Sequence, residues 1–203
     1  MTNDIRICFV GDSFVNGTGD ETALGWAGRL CAAAATQGHL VTYYNLGIRR
    51  NTSREVMRRW QQECALRLPD ACDARIVFSF GVNDAAIEGE NLRIPFEESV
   101  SNLRTLLGDA KKYKVLMVGP PPIADDQLNQ RIATLSTAYA CEATALGIPF
   151  IDVFPALVAD LEYQREVSDN DGAHPRSGGY TKLAAIIGRS THWWWPVGRV
   201  VTE

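Results

Sequence analysis

Apolar runs of strand length recur along the chain at positions 5–10, 40–45, 75–80, 114–118 and 150–153, each separated from the next by a longer segment of mixed character. The runs are nearly continuous in Ile, Val, Phe, Leu and Tyr. That is the pattern of strands covered by helices on both faces, where neither face meets water. Between them, helical patterning predicts helices over 24–37, 52–68, 96–113, 126–146 and 177–193. The second opens with Thr52-x-x-Glu55, the spacing of a capping box that satisfies two otherwise unpaired backbone donors. The third starts just after Pro95, whose fixed φ suits a helix beginning. Strand and helix alternate, so the expected fold is α/β: a three-layer α/β/α sandwich on a parallel sheet of five strands.

Length changes this picture little. At 203 residues, and about 150 residues per domain, the chain is expected to form one domain over 1–203, with no linker, repeat or low-complexity tract to divide it. Hydrophobic residues at 46% and charged residues at 22% match ordinary globular composition and argue against disorder. The net charge of −4 supplies no global attraction to nucleic acid or to an anionic membrane, so neither partner is expected. No run approaches the roughly 18 apolar residues that would span a bilayer. The N-terminal segment shows no secretory signal pattern, which makes the cytoplasm the expected location.

The five cysteines, Cys8, Cys31, Cys64, Cys72 and Cys141, are odd in number and form no CxxC pair; they are expected to be buried free thiols. The histidines, His39, His174 and His192, lack the HExxH spacing of a zinc hydrolase. No metal and no cofactor is expected.

In a parallel sheet the carboxyl ends of all strands lie along one edge, where ligands bind at a topological switch point. Polar motifs follow the predicted strands: Gly11-Asp12-Ser13, Leu46-Gly47, Gly81-Val82-Asn83-Asp84 and Gly119-Pro120-Pro121. Ser13 follows a tight turn permitted by Gly11 and is either a nucleophile or a turn and cap residue. As a nucleophile it needs a base. His174 supplies one, three residues after Asp171; if the intervening Gly-Ala turn folds back, Asp171 orients one ring nitrogen and leaves the other for Ser13. The alternative is a loop aspartate that caps the next helix beside a solvated histidine. Donors for an oxyanion are offered by the backbone of Ser13 and Gly47 and by the Asn83 amide, although Gly47 could simply end a strand and Asn83-Asp84 form an Asx turn. The segment after the first strand fits neither Walker A, since five residues separate Gly11 from Gly17 and no Lys follows, nor Gly-x-Gly-x-x-Gly, nor the Gly-x-Ser-x-Gly elbow.

Taken together, Gly11-Asp12-Ser13, Asn45-x-Gly47, Gly81-x-Asn83-Asp84 and Asp171-x-x-His174-Pro175 resemble, in order and spacing, the four sequence blocks of the SGNH/GDSL hydrolases, and they cover residues 11 to 175. The resemblance implies a flavodoxin-like α/β/α fold and a serine esterase. Ser13 would be its nucleophile, His174 the base, Asp171 the partner of the base, and Ser13, Gly47 and Asn83 the oxyanion donors. Arg50 stands where a small residue is frequent, and Phe14 where leucine is.

The expected substrate is a small soluble ester, with a carbohydrate O-acetyl ester or a non-catalytic anion-binding role as alternatives. Phe14, Ile87 and Ile123 are candidates for the substrate pocket, and residues 84–95 for a cover over it. Arg49 and Arg50 could favour anionic substrates or be a solvated loop pair. Trp193-Trp194-Trp195 either clamps the last helix to the sheet or forms a patch for assembly into a homo-oligomer.

Overall fold

The computed structural model describes residues 4–196. Its first strand, β1 (Ile5–Gly11), leads into a single helical turn, α1 (Ser13–Asn16), then α2 (Gly25–Thr36), β2 (Val41–Gly47) and α3 (Ser53–Ala65). There follow β3 (Asp73–Ser79), a small hairpin of β4 (Ile87–Glu88) and β5 (Asn91–Leu92), and α4 (Phe96–Asp109), which is extended by a 3-10 turn over Ala110–Lys112. The chain then runs through β6 (Lys114–Val118), α5 (Asp126–Ala145), β7 (Phe150–Ile151), α6 (Phe154–Val158), α7 (Leu161–Asp169) and α8 (Ser177–Arg189).

Five strands form one parallel sheet in the order β2-β1-β3-β6-β7. Numbered within the sheet alone, that order is 2-1-3-4-5, the flavodoxin-like arrangement, and it places the switch point between β1 and β3. Successive side chains on a strand point to opposite faces, and the core divides accordingly. Ile7 and Phe9 of β1 pack with α2, α6, α7 and α8 on one face, whereas Cys8 and Val10 pack with α3 and α4 on the other. Leu103, Leu106 and Leu107 stand at the i, i+3, i+4 spacing of one helical stripe, and all three are fully buried. Burial of each such leucine contributes about 1.5–3 kcal/mol. The expected three-layer sandwich is present.

Boundaries differ where a tertiary contact overrides the local pattern. The second strand continues through Gly47, because Leu46 and Gly47 pair with Val10 and Gly11; they end the strand rather than follow it. The third strand begins at Asp73, opposite Ile5, and leaves Phe80 beyond its end. The last strand has two residues, not four: after Ile151 the Asp152 carboxylate accepts the Phe154 N–H at 3.1 Å and turns the chain into α6. The final helix stops at Arg189, short of the tryptophans. Helices α6 and α7 lie in a stretch with no predicted element, although Asp160 caps α7 by accepting the Glu162 and Tyr163 N–H groups at 3.0 and 2.9 Å.

Trp193 and Trp195 are buried in the core, and the Arg75 guanidinium lies 4.9 and 4.7 Å from the ring centres of Trp194 and Trp195. His39 stacks on Trp195 at 5.0 Å. The cluster therefore spends most of its aromatic surface clamping the end of α8 against the sheet. The cysteine expectation needs correction: Cys8, Cys31 and Cys64 are buried, but Cys72 is half-buried and Cys141 exposed. Cys141 sits between Tyr139 and Ala143, both fully buried on α5, so the helical period turns it outward. Among the described residues, no helix is long and apolar enough to cross a membrane.

Candidate active site

The strand leading to Ser13, β1, runs close to its neighbours at its end. A Cβ on Gly11 would lie 1.8 Å from the Ser79 carbonyl oxygen, so only glycine lets β1 end there. Asp12 then caps α1: its Oδ1 accepts the Phe14 N–H at 3.0 Å. Ser13 takes the first position of α1, where a backbone N–H has no intrahelical acceptor and the helix begins with its donors facing outward.

From a loop 161 residues away in sequence, His174 brings Nε2 to 2.7 Å from Ser13 Oγ. Its Nδ1 lies 2.8 Å from Asp171 Oδ2. The turn between Asp171 and His174 folds back through Gly172, whose φ of +77° is unfavourable for any residue with a Cβ. Asp171 Oδ1 accepts the Ala173 and His174 N–H groups at 3.0 and 2.8 Å. Burial pushes the Asp171 carboxyl up, but these N–H groups and the imidazole outweigh it and hold the group down at about 2. An ionised carboxylate only accepts, so Nδ1 donates to it and Nε2 is left facing the Ser13 hydroxyl. Behind the imidazole, the Phe14 ring packs at 5.1 Å. The loop itself is tied by the Asn170 amide, which donates to the His174 carbonyl at 2.9 Å, and by the Ala124 N–H, which donates to the Gly172 carbonyl at 2.9 Å.

The other expected donors line the same rim. Gly47 lies at the end of β2, opposite Gly11, and a Cβ there would stand 2.1 Å from the Asn16 nitrogen. Its N–H donates to Asn45 Oδ1 at 3.0 Å, while the Asn45 amide reaches across to the Val15 carbonyl at 2.8 Å. Asn83 Nδ2 donates to the Asn51 carbonyl at 3.0 Å and faces Asp12 Oδ2 at 3.5 Å. Among the described residues, no group of three or more His, Cys, Asp or Glu side chains is placed to hold a metal ion.

The model of the GDSL-like lipase/acylhydrolase family matches residues 9–182, from β1 into α8. The chain belongs to this family. It is accordingly a carboxylic ester hydrolase. Among solved structures it is similar to a lipase/acylhydrolase from Enterococcus faecalis, with 25% identity, a TM-score of 0.73, and coverage of 90% of this chain and 93% of that one. It also shares its fold with the acetylxylan esterase Axe2 from Geobacillus stearothermophilus, at 19% identity, TM-score 0.77 and coverage of 93% and 95%. A third similar structure is LAE5, an alpha/beta hydrolase enzyme from the metagenome of Lake Arreo, at 18% identity, TM-score 0.71 and coverage of 92% and 94%. No curated protein is similar enough in sequence to match.

In this GDSL-like hydrolase the three residues expected to line the pocket part company. Phe14 is 1% exposed and backs the histidine; Ile123 is 8% exposed, with both its backbone groups bonded to the Asn129 side chain. Only Ile87 presents a large surface, at 55% exposure on the β4–β5 hairpin. The segment 84–95, expected as a cover, is closed at its base by Arg93 N–H to Ala86 O at 2.8 Å and held to α5 by the Arg131 guanidinium on Ala85 O at 2.8 Å. Beneath it, a cavity of about 210 Å³ is lined by Leu92, Ile94, Phe96, Leu135 and neighbours, and by none of Ser13, Asp171 or His174.

Sequence reasoning passed over four residues that shape the rim. Asp12 and Asn45 fall within the motifs and could have been read as cap and Asx turn from their spacing. Arg59, whose guanidinium donates to the Gly11 carbonyl at 2.8 Å and to Asn51 Oδ1 at 2.7 Å, and Arg93 carry no local signal.

Proposed function

We propose that the protein hydrolyses small carboxylic esters by two-step acyl transfer, with Ser13 as nucleophile, His174 as general base and then acid, and Asp171 as the partner of the base. The observation that carries this reading is the unbroken relay of short hydrogen bonds from Ser13 Oγ through the His174 ring to the Asp171 carboxylate, 2.7 and 2.8 Å long. Ser13 Oγ attacks the ester carbonyl as its proton passes to His174 Nε2, and Asp171 stabilises the imidazolium that forms. The carbonyl oxygen becomes an oxyanion, for which the donors are the N–H groups of Ser13 and Gly47 and the Asn83 amide. The last two already donate to neutral oxygens of Asn45 and Asn51. An oxyanion is the stronger acceptor and competes for both as charge develops. His174 returns the proton to the leaving alcohol, and water repeats the sequence to release the acid.

The acyl group in this reading is short. Two of the three side chains expected to wall an acyl pocket are packed into the core instead. A fluorophosphonate, followed by mass spectrometry of the intact protein, is expected to add one adduct on Ser13 that Ser13→Ala abolishes; a silent serine would leave only a binding role at this rim. A series of p-nitrophenyl esters set beside acetylated xylo-oligosaccharides then separates a general short-chain esterase from a carbohydrate O-acetylesterase.

A further inference from the structure

An asparagine that serves an oxyanion must present its NH2 and not its oxygen, yet the two ends of the amide are nearly the same size and exchange by rotation about one bond. Something around Asn83 has to decide. On one side, its Oδ1 accepts from Arg93 Nη1 at 3.1 Å. On the other, its Nδ2 donates to the Asn51 carbonyl at 3.0 Å and lies 3.5 Å from Asp12 Oδ2. A guanidinium has five donors and no acceptor, so the flipped amide would set NH2 against Arg93 and oxygen against the Asn51 carbonyl, losing both interactions.

Arg93 is itself well fixed. Its Nη2 donates to the Arg50 carbonyl at 2.9 Å, its own N–H donates to Ala86 O at 2.8 Å, and its side chain is 17% exposed with Glu88 at 3.9 Å. Arg50 itself adopts φ +66°, a left-handed conformation that residues with a Cβ rarely take. One planar fork thus joins the loop that follows Gly47 at the end of β2 to the loop after β3 that carries Asn83.

We infer that Arg93 is a positioning residue for ester hydrolysis, locking the Asn83 amide with its donor end toward the reacting carbonyl. This rests on the oxyanion role given to Asn83 above. It also assigns the 84–95 segment a task other than covering the site: the hairpin is the strut that delivers the guanidinium.

The test is a double-mutant cycle on p-nitrophenyl acetate hydrolysis, with thermal melts run alongside. Asn83→Ala is expected to lower kcat by about 10²–10³, the usual loss for one oxyanion donor. Arg93→Met in the wild-type background is expected to lower kcat 10- to 100-fold, with KM changed less than threefold. The same change in the Asn83→Ala background is expected to alter kcat less than twofold, because no amide remains to be oriented. Arg93→Lys, which can still donate to Oδ1, should fall between wild type and Arg93→Met. A wild-type kcat for Arg93→Met, or an equal fall in both backgrounds, overturns the positioning role while leaving the oxyanion reading intact. A wild-type kcat for Asn83→Ala overturns the oxyanion reading and this one with it. Should Arg93→Met fail to fold, Arg93→Lys is carried through the same cycle, where a loss confined to the wild-type background supports the role and any other result refutes it.

Discussion

Asp12 offers a quantitative test of the architecture next to the nucleophile. Its side chain is 1% exposed, and burial drives its carboxyl up from 3.8 to about 7, against the opposing pull of the Phe14 N–H and with a further push from Asp84 nearby. The consequence for stability follows from proton linkage. Below pH 3.8 the group is protonated in the folded and unfolded chains alike. Between 3.8 and about 7 the unfolded chain has released its proton and the folded one has not, so stability falls as pH rises; above about 7 the penalty is constant. A shift of about three units at roughly 1.4 kcal/mol each makes that penalty about 4 kcal/mol.

Asp12→Asn keeps the shape, the oxygen that caps α1 and a favoured capping residue type, and it cannot ionise. The stability of the variant relative to wild type is therefore expected to rise by about 1.4 kcal/mol per pH unit between pH 4 and 7, about 4 kcal/mol in all, on top of a pH-independent offset from setting an NH2 against Asn83 Nδ2. Asp84, which burial also pushes up, adds in the same direction when its charged neighbour is removed. Urea denaturation of both proteins at unit steps from pH 4.5 to 8.5 reads the difference directly, and groups common to both cancel. A difference that stays flat across this range, or shrinks as pH rises, would refute the burial argument.

Asp171→Asn should leave the fold intact and lower kcat by about 10²–10⁴, since a neutral amide neither fixes the tautomer nor stabilises the imidazolium; a loss below tenfold in steady-state hydrolysis would count against the relay. Gly47→Ala places a methyl against the backbone of Asn16 and Asp12, on either side of Ser13. It is expected to cost on the order of 3 kcal/mol or more in urea denaturation, and wild-type stability would contradict the close approach. Native thiol titration at pH 8 should find Cys141 fast and Cys72 slower, with Cys8, Cys31 and Cys64 reacting only on unfolding; burial pushes the Cys31 thiol up to about 12.

The strands and long helices were legible because burial on two faces leaves a continuous apolar run and burial on one face leaves a stripe. What escaped was structure decided by single side chains. Helix α6 exists because Asp152 turns the chain at the sheet's edge, and α7 because Asp160 caps it; neither segment is long enough for its period to stand out. The strand ends shifted for a related reason. Register with a neighbour, such as Gly47 opposite Gly11, decides where pairing stops, and register is a property of two segments rather than one.

The site divides along the same line. Ser13, His174, Asp171, Gly47 and Asn83, the residues to which the proposed mechanism gives its roles, could be named because each belongs to a short motif whose chemistry calls for that residue type. The arginines that bind the loops around them could not. Arg59 and Arg93 act through carbonyl oxygens and an amide oxygen, acceptors that nearly every residue or several side-chain types can provide, so their sequence neighbourhood bears no mark of the task. Their roles arise only once β1, β2 and β3 lie side by side and the loops beyond them are a few ångströms apart. The same adjacency explains why Phe14 and Ile123 are pocket candidates on the sequence: an apolar residue beside a polar motif can face a ligand or the core. Here α1 turns Phe14 inward, where its ring packs against the His174 imidazole.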